Sequence, residues 1–427
     1  MTFRTTRKTA SKFLAATGLA LLAAAPASAT DGYFLHGAGA KAKGSGGAAI
    51  AYPQDSLAIT ANPAAATELG HRIDVGFDIF VPDRSVRIAG NAFGADQSYS
   101  GNNANPFVLP EFGYTVPLSE KLSFALAIYA NGGMNTDYKR NPFERFGATG
   151  EAGIDLKQVF VTPTLAVRVA DGHSLGISVI GVAQSFRAKG IAPFAAASSD
   201  PANFTDRHED WTWGGGVRVG WLGHLTDRLS AGAFYQSKIW TAKFERYAGL
   251  FAVGGGFDVP ASWGGGLAYR LTDRLDVAAD VKRIEYSGIG SVGNPLAPLF
   301  AGVPFGAADG PGFGWKDITV YKFGAVYKAS PSWTLRAGYG RADQPIPASQ
   351  TFLNILAPGV VQDHFTLGAT WTAPSGMEVT GHILRAPKQT VHGQGSIPPG
   401  NPPGFGGGEA DISLAETVAG LSFGFKF

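Results

Sequence analysis

Hydrophobic and polar residues alternate with a period of two along most of the chain. Over residues 73–79 the apolar row is Ile73, Val75, Phe77 and Ile79, and the opposite row is Asp74, Gly76 and Asp78. Similar alternation occurs over residues 122–129, 158–169, 275–282 and 364–371. Successive side chains of a strand point to opposite faces of its sheet, whereas a helix would mix the two rows. The pattern therefore predicts many strands, each with one apolar row and one small or polar row.

Short polar turns and long irregular stretches separate the predicted strands. The tight turns lie at residues 118–122 (LSEKL), 171–172, 225–229 (LTDRL), 271–275 (LTDRL), 330–332 and 374–376. The long loops cover residues 82–106, 134–153, 187–209, 244–256, 288–316, 342–360 and 388–412. Six turns and seven loops join fourteen strands, and tight turns on one rim with long loops on the other are typical of outer-membrane barrels. We predict an all-β membrane fold over residues 71–427, a 14-stranded antiparallel transmembrane β-barrel with both termini on the periplasmic side.

The alternation continues to the last residue of the chain. Leu421, Phe423, Phe425 and Phe427 form its apolar row. A C-terminal aromatic strand resembles the signal that the barrel-assembly machinery recognises. We therefore expect a monomer in the outer membrane of a Gram-negative bacterium, with that machinery, outer-membrane lipid and lipopolysaccharide as partners.

The N-terminus has the composition of a secretory signal peptide. Four basic residues between positions 4 and 12 precede an apolar run over residues 13–25, and Ala27-Ser28-Ala29 provides the small residues of a cleavage site. The apolar run is shorter than the ~20 residues of a membrane-spanning helix. We predict that residues 1–29 are removed and that the mature chain begins at Thr30.

Composition narrows the possible chemistry. The 427 residues include 59 glycines and 12% aromatic residues, which suit a barrel wall with small inward and aromatic outward side chains. The chain has no cysteine, which excludes disulfides, thiolate nucleophiles and cysteine-based metal sites. The formal net charge is +2 and gives no indication of a nucleic-acid partner. We predict neither a cofactor nor a metal ion.

Residues 30–70, the N-terminal segment, do not alternate. Glycine and alanine dominate the segment, yet it also contains Ile50, Leu57, Ile59 and Leu69. A disordered tail does not need so many apolar residues. Because the N-terminus is predicted to be periplasmic, we expect the segment to fold inward as a hatch that plugs the barrel. The alternative is a periplasmic tail.

The N-terminal segment also carries a family resemblance. Residues 32–67, GYFLHGAGAKAKGSGGAAIAYPQDSLAITANPAAAT, precede the first strand of a predicted fourteen. This arrangement resembles the FadL/TodX (OmpP1) family of outer-membrane transporters for long-chain fatty acids and hydrocarbons. The resemblance is strongest over residues 32–80, where Asn62, Pro63 and Ala64 match the NPA motif of the family's hatch. Residues 335–347, LRAGYGRADQPIP, give a second match.

The resemblance implies a route for a hydrophobic ligand. In this family the ligand is captured among extracellular loops, enters an apolar pocket in the barrel and leaves sideways through a gap where the third strand kinks. In this sequence the third strand runs into Asn131, Gly132 and Gly133, and adjacent glycines permit a bend. We expect the hatch around Asn62 to lie against that gap. The alternative is that the strand simply ends at the loop over residues 134–153.

Aromatic and basic residues in two long loops are candidates for ligand capture. They are Phe143, Arg145, Phe146, Ile191, Phe194 and Phe204. Exposed apolar clusters in loops indicate an apolar ligand, although the same side chains can pack the loops together. A carboxylate head group could pair with Arg145, Arg187, Lys189 or an inward Arg168. Fatty acids, aromatic hydrocarbons, alkanes and terpenes all suit the predicted pocket.

Two other functions are compatible with an outer-membrane barrel. A general diffusion porin needs a water-filled, charged lumen, and the hatch-like N-terminal segment argues against one. An outer-membrane lipase needs a serine, a histidine and a polar orienting residue within hydrogen-bond reach. We predict a passive transporter, not an enzyme, with no catalytic residues.

Overall fold

The computed structural model describes residues 30–400 and 404–427, whose fold is a closed antiparallel barrel of fourteen strands. The barrel strands are β1 (Arg72–Ala89), β2 (Phe107–Pro117), β3 (Leu122–Tyr138), β4 (Ala152–Ala170), β5 (His173–Lys189), β6 (Asp210–His224), β7 (Leu229–Gln236), β8 (Ser262–Arg270), β9 (Leu275–Ile284), β10 (Ile318–Ser330), β11 (Trp333–Ala342), β12 (Asp363–Thr372), β13 (Glu378–Val391) and β14 (Glu409–Lys426). Each strand pairs with the next in the chain, and β14 closes the barrel on β1. The predicted fold class and strand number are confirmed, and the predicted signal peptide, residues 1–29, lies outside the described residues.

Short elements accompany the barrel strands. The short strands are Thr30–Asp31, Phe34–Leu35, Gln97–Ser100 and Trp240–Thr241. The α-helical turns are Ala40–Gly44, Ala252–Gly255 and Gly290–Gly293. The 3-10 turns are Ser56–Thr60, Pro63–Glu68, Glu144–Phe146, Ala192–Ala197, Pro201–Asn203, Glu245–Tyr247, Tyr286–Gly288, Ala297–Ala301, Ala348–Gln350 and Leu353–Ile355. Within the described residues, no helix has both the length and the apolar composition needed to cross a membrane.

The outside of the barrel is apolar and its inside is largely polar. In β1, Val75, Phe77 and Ile79 are 45%, 40% and 43% exposed, whereas Asp74 and Asp78 are 4% and 3% exposed. An apolar outer band suits contact with lipid, and the closed ladder satisfies the backbone groups that lipid cannot. The alternating rows predicted from the sequence are therefore confirmed.

The six predicted tight turns are confirmed, but several predicted loops are too long. β1 continues to Ala89, β3 to Tyr138 and β13 to Val391, beyond the predicted loop starts at residues 82, 134 and 388. Near these ends both faces of a strand carry polar residues, as Asp83 and Arg84 do in β1. The backbone ladder continues where the apolar band has ended, so hydrophobic periodicity underestimates the strands.

The N-terminal segment lies inside the barrel. Asp280 of β9 accepts a hydrogen bond from the backbone N–H of Ile50 at 3.0 Å. On β12, Thr366 Oγ1 accepts from the backbone N–H of Gly46 at 2.9 Å. Residues 38–51 are buried throughout. Because the segment contacts the inner rows of well-separated strands in a closed wall, it occupies the lumen.

Buried ion pairs hold the N-terminal segment to the wall. Lys43 Nζ lies 2.6 Å from an oxygen of Asp78 in β1 and 2.7 Å from an oxygen of Glu111 in β2. Lys41 Nζ lies 2.5 Å from an oxygen of Glu378 in β13. Burial opposes the charge on Lys43, but the two carboxylates outweigh burial and raise the pKa of its ammonium group. Loss of Lys43 would take the ammonium group from two buried carboxylates, whereas Glu378 would keep its ion pairs with Arg72 at 2.9 Å and Lys426 at 2.7 Å after loss of Lys41.

Glycine permits the closest contacts between the segment and the wall. A Cβ on Gly338 of β11 would overlap the backbone nitrogen of Gly46, and a Cβ on Gly368 of β12 would touch the Cα of Gly44. Gly46 also has a φ of +70°, which other residues rarely adopt. The glycine content therefore reflects packing of one backbone against another as well as small inward side chains.

Candidate functional site

The barrel wall has an opening between β2 and β3. Their shared ladder stops at Glu111↔Tyr129. Beyond that pair β2 continues along β1, and β3 continues along β4. Within the described residues, no ladder pair joins residues 107–110 to residues 130–136. We call this gap the opening.

A β-bulge in β3 lies at the opening. Between Ala130 and Gly132 the register of β3 against β4 shifts, which leaves Asn131 as an extra residue. A bulge bends its strand and interrupts the ladder. On the facing edge, Pro110 has no backbone N–H to donate. The irregularity thus lies at the predicted Asn131, Gly132 and Gly133, and β3 continues through it to Tyr138.

The start of the N-terminal segment covers the opening from inside. Phe34 pairs with Gly132, and the backbone N–H of Gly133 donates to the backbone oxygen of Tyr33 at 3.1 Å. These contacts replace part of the missing ladder. Backbone groups without partners are costly at membrane depth, so the segment stabilises the interrupted wall.

Space is present on both sides of the opening. The inner cavity, with a volume of about 40 Å³, is lined by Tyr33 of the segment, Phe80 of β1 and Met134 of β3 among others. The outer groove has a volume of about 370 Å³ and is bordered by Val108 of β2 and Thr136 of β3 among others. The opening, which Tyr33 and Phe34 of the N-terminal segment cover from inside, therefore lies between an interior cavity and a groove on the outer surface.

A second pocket lies among the long loops and is lined almost entirely by apolar side chains. This loop pocket has a volume of about 40 Å³. Its lining residues are Phe143, Ile154, Phe186, Ile191, Phe194, Phe204, Leu250, Phe251, Ser291, Phe305, Pro311, Gly312, Phe313, Leu353 and Leu356. The ring centroids of Phe143 and Phe194 are 5.1 Å apart, and those of Phe204 and Phe305 are 5.4 Å apart. Four of the six predicted ligand residues thus meet in one apolar site, and among its described lining residues Ser291 alone carries a hydroxyl.

Sequence reasoning missed most of the lining of the loop pocket. Phe251, Phe305 and Phe313 lie within two other predicted long loops, and Phe186 directly precedes a third. The signal that identified Phe143 was an aromatic residue in a long loop, and it applied equally to Phe251, Phe305 and Phe313 but not to Phe186, which lies on β5. The sequence did not indicate which loops meet.

The remaining predicted ligand residues lie outside the loop pocket. Arg145 Nη2 donates to the backbone oxygen of Ala95 at 2.9 Å. The ring of Phe146 packs against Phe352 and Phe405, with centroid distances of 5.6 and 5.5 Å. Both side chains join loops to one another.

The basic head-group candidates are also dispersed. Arg187 and Lys189 border the outer groove, where Lys189 pairs with Asp137 at 2.9 Å and with Glu151 at 2.6 Å. Arg168 follows Thr164 and Ala166 in the inward row of β4, but it is exposed because it lies at the tight-turn end of the strand. None of the three lines the loop pocket.

The NPA residues do not lie at the opening, which corrects the expected position of the hatch. Asn62 Nδ2 donates to the backbone oxygens of Ile50 and Trp221 at 2.8 Å each, and Asn62 Oδ1 accepts from the N–H of Ala64. A Cβ on Gly220 of β6 would overlap Asn62 and Pro63. The NPA residues are therefore packed against the wall at β6, and Tyr33 and Phe34 cover the opening instead.

One short sequence pattern is shared with serine hydrolases, since residues 172–176 read GHSLG. Serine hydrolases place such a serine on a sharp turn between a strand and a helix. Here Ser174 lies on barrel strand β5 and accepts a hydrogen bond from Thr67 Oγ1 at 2.8 Å. The pattern therefore lacks the local structure of a nucleophile.

Comparison with known families gives an extensive match. A family model described as "Outer membrane protein transport protein (OMPP1/FadL/TodX)" matches residues 19–380. A comparison with curated protein sequences found no match.

Solved structures of similar fold include three transport proteins. The Pseudomonas putida toluene transporter TodX is 20% identical, with a TM-score of 0.68 over 93% of this chain and 100% of its own. A Pseudomonas aeruginosa FadL homologue is 18% identical, with a TM-score of 0.69 over 93% and 100%. The Ralstonia pickettii toluene transporter TbuX is 19% identical, with a TM-score of 0.63 over 92% and 99%. At these identities the likeness concerns the fold.

Proposed function

Because the chain belongs to the OMPP1/FadL/TodX family of outer-membrane transport proteins, we propose that it takes up hydrophobic small molecules and releases them sideways through the opening. The proposed route runs from the loop pocket to the inner cavity, then between β2 and β3 into the lipid. The observation that carries the proposal is the interrupted ladder between these strands, with a cavity on one side and a groove on the other.

Capture at the loop pocket follows from its lining. Aromatic and aliphatic side chains surround it, and the N-terminal segment is not part of it. Transfer of an apolar ligand from water into such a site is favourable by roughly 0.8 kcal/mol per buried CH₂ group. Linear alkyl chains and aromatic rings both gain from this burial, so long-chain fatty acids and aromatic or aliphatic hydrocarbons are the proposed substrates.

Release to the side is favoured over release downward. The N-terminal segment fills the lumen, and the ion pairs of Lys41 and Lys43 hold it to three strands. A straight path would therefore require displacement of the segment and transfer of the ligand into water. A path between β2 and β3 leads from the inner cavity, which is lined by Phe80 and Met134 but also by Arg84, toward lipid without displacement of the segment, so more of the hydrophobic gain of burial is kept. The filled lumen also argues against a general diffusion porin.

A charge placed in the loop pocket is expected to weaken uptake. Phe194→Asp puts a carboxylate among apolar rings, and a buried charge without a partner is costly. We expect the apparent KM for uptake of labelled oleate or toluene by proteoliposomes to rise at least about tenfold. Phe194→Leu, which keeps the site apolar, is expected to stay near wild type.

Phe300→Asp is the matched control, because Phe300 is 43% exposed on a loop and does not line the pocket. Heat-modifiable gel migration checks that each variant has assembled. If Phe194→Asp takes up both substrates with wild-type KM, ligand does not enter through the loop pocket.

A further inference from the structure

Three side chains of metal-ligating type meet inside the barrel. Asp31 and His36 come from the start of the N-terminal segment, and His364 comes from β12. One carboxylate oxygen of Asp31 and one ring nitrogen of each histidine lie within 4.8 Å of one another. The three residues are 0%, 2% and 0% exposed. The cluster is therefore built by the fold from residues more than 300 positions apart in the chain.

The histidines of this cluster are left without ordinary partners. Neither ring nitrogen of His36 or of His364 makes a hydrogen bond within the described part of the chain. Their nearest acidic oxygens are Asp31 Oδ1, 3.7 Å from His36 Nδ1, and Glu416 Oε2, 3.8 Å from His364 Nε2. Buried polar groups are normally hydrogen-bonded, so four unpaired ring nitrogens in one place require an explanation.

We propose that Asp31, His36 and His364 bind one divalent transition-metal ion of the Zn²⁺, Ni²⁺ or Cu²⁺ class. Imidazole nitrogens with a carboxylate suit these ions better than Mg²⁺ or Ca²⁺, which favour oxygen ligands. Ligands at about 2.0–2.2 Å from a tetrahedral ion lie roughly 3.4 Å apart, so the three ligand atoms need to close by little more than an ångström. The rings of His36 and His364, which are stacked with centroids 4.7 Å apart, also need to rotate so that both nitrogen lone pairs point at the ion. His36 also borders a lumen cavity of about 80 Å³, which gives room for a water molecule as a further ligand.

Lys322 of β10 affects both the geometry of the proposed metal site and its affinity for the ion. Its Nζ lies 2.9 Å from Asp31 Oδ2, so it holds the carboxylate while Asp31 Oδ1 remains on the side of His36. The positive charge of Lys322 also opposes a second cation nearby. We therefore expect weaker binding than at a structural zinc site.

The bound ion would tie the start of the N-terminal segment to β12. His36 is two residues from Phe34, which covers the opening by pairing with Gly132. The ion would thus hold Tyr33 and Phe34, which lie across the opening, in place. This inference concerns binding and does not depend on whether the opening releases ligand.

Calorimetric titration of the detergent-solubilised, chelator-treated protein with ZnCl₂ tests the proposal. The chain must carry no polyhistidine tag, since a tag would itself bind the metal. We expect one site per chain, and at least about tenfold weaker binding for His36→Gln and for His364→Gln. His382→Gln is the matched control: His382 is also buried, near Asp78 at 3.5 Å, but it is not part of the cluster, and its variant is expected to bind zinc as the wild type does.

Electron paramagnetic resonance of the Cu²⁺-loaded wild-type protein gives a second measurement that needs no variant. Two imidazole ligands are expected in the nitrogen hyperfine pattern. Absence of a stoichiometric site, a spectrum without nitrogen ligands, or wild-type zinc affinity in both His36→Gln and His364→Gln would overturn the proposal. In the last case the metal would belong to exposed groups such as His392 beside Asp411.

Discussion

Replacement of residues 44–65 by a Gly/Ser sequence of the same length is expected to turn the barrel into an ion-conducting pore. These residues pack against β6, β9, β11 and β12 from inside the lumen. A Gly/Ser sequence has no apolar side chains to bury and remains a flexible coil. Lys41 and Lys43 are kept, so the first part of the segment stays attached. Single-channel recording in planar bilayers should show a large rise in conductance over the closed wild type.

Asn62→Ala is the control for the segment replacement. It removes the hydrogen bonds to the backbone oxygens of Ile50 and Trp221, but leaves the lumen filled. We expect this variant to be less stable than wild type and equally closed. A replacement variant that assembles, by heat-modifiable migration, yet remains non-conducting would mean that residues 44–65 do not plug the barrel.

The sequence predicted the barrel because its strands obey one local rule. Successive side chains of a strand point to opposite faces, so in β1 Val75 and Phe77 face outward and Asp74 and Asp78 face inward. This alternation depends only on neighbours in the chain. The rule fails near the loop-side ends of the long strands, where polar residues such as Asp83 stand in the outer row and buried apolar residues such as Ile88 stand in the inner row. Tyr138 at the end of β3 illustrates the failure, because its side chain is buried and its hydroxyl donates to the backbone oxygen of Ile355, which lies far away in the chain.

The interior contacts were not predictable, because they join residues far apart in the chain. Lys41 contacts Glu378, and His36 stacks on His364 with ring centroids 4.7 Å apart. Adjacent glycines near Asn131 indicated where β3 bends, since glycine conformation is a local property. Nothing local indicated that Phe34 would cover the bend.

The position of the NPA residues illustrates the same limit. The resemblance identified Asn62 as a residue of the N-terminal segment, and the side-chain amide of Asn62 both donates and accepts hydrogen bonds. Its partners are the backbone oxygens of Ile50 and Trp221, in the segment itself and on β6, rather than groups at the opening. A motif thus predicts a local hydrogen bond, such as the one from the N–H of Ala64 to Asn62 Oδ1, more securely than it predicts the strand against which the motif packs.

Removal of Asn131 together with Pro110→Val is expected to close the opening and stop uptake. Without Asn131, Ala130 paired with Val159 is followed directly by Gly132 paired with Gln158, so β3 keeps one register along β4. A strand without a bulge does not need to bend. Valine in place of Pro110 supplies a backbone N–H on the facing edge of β2. The ladder between β2 and β3 can then continue beyond its present end.

With the ladder extended, a ligand in the inner cavity meets a paired wall. We expect uptake of labelled oleate or toluene to fall at least about tenfold, which corresponds to roughly 1.4 kcal/mol in the barrier. Binding at the loop pocket should remain, because none of its lining residues changes. The matched control lacks Ala329, the extra residue of a bulge between β10 and β11 on another part of the wall, and should take up ligand at the wild-type rate. Equal uptake by the Asn131 variant and the wild type at matched expression would mean that ligand leaves by another route, past the N-terminal segment.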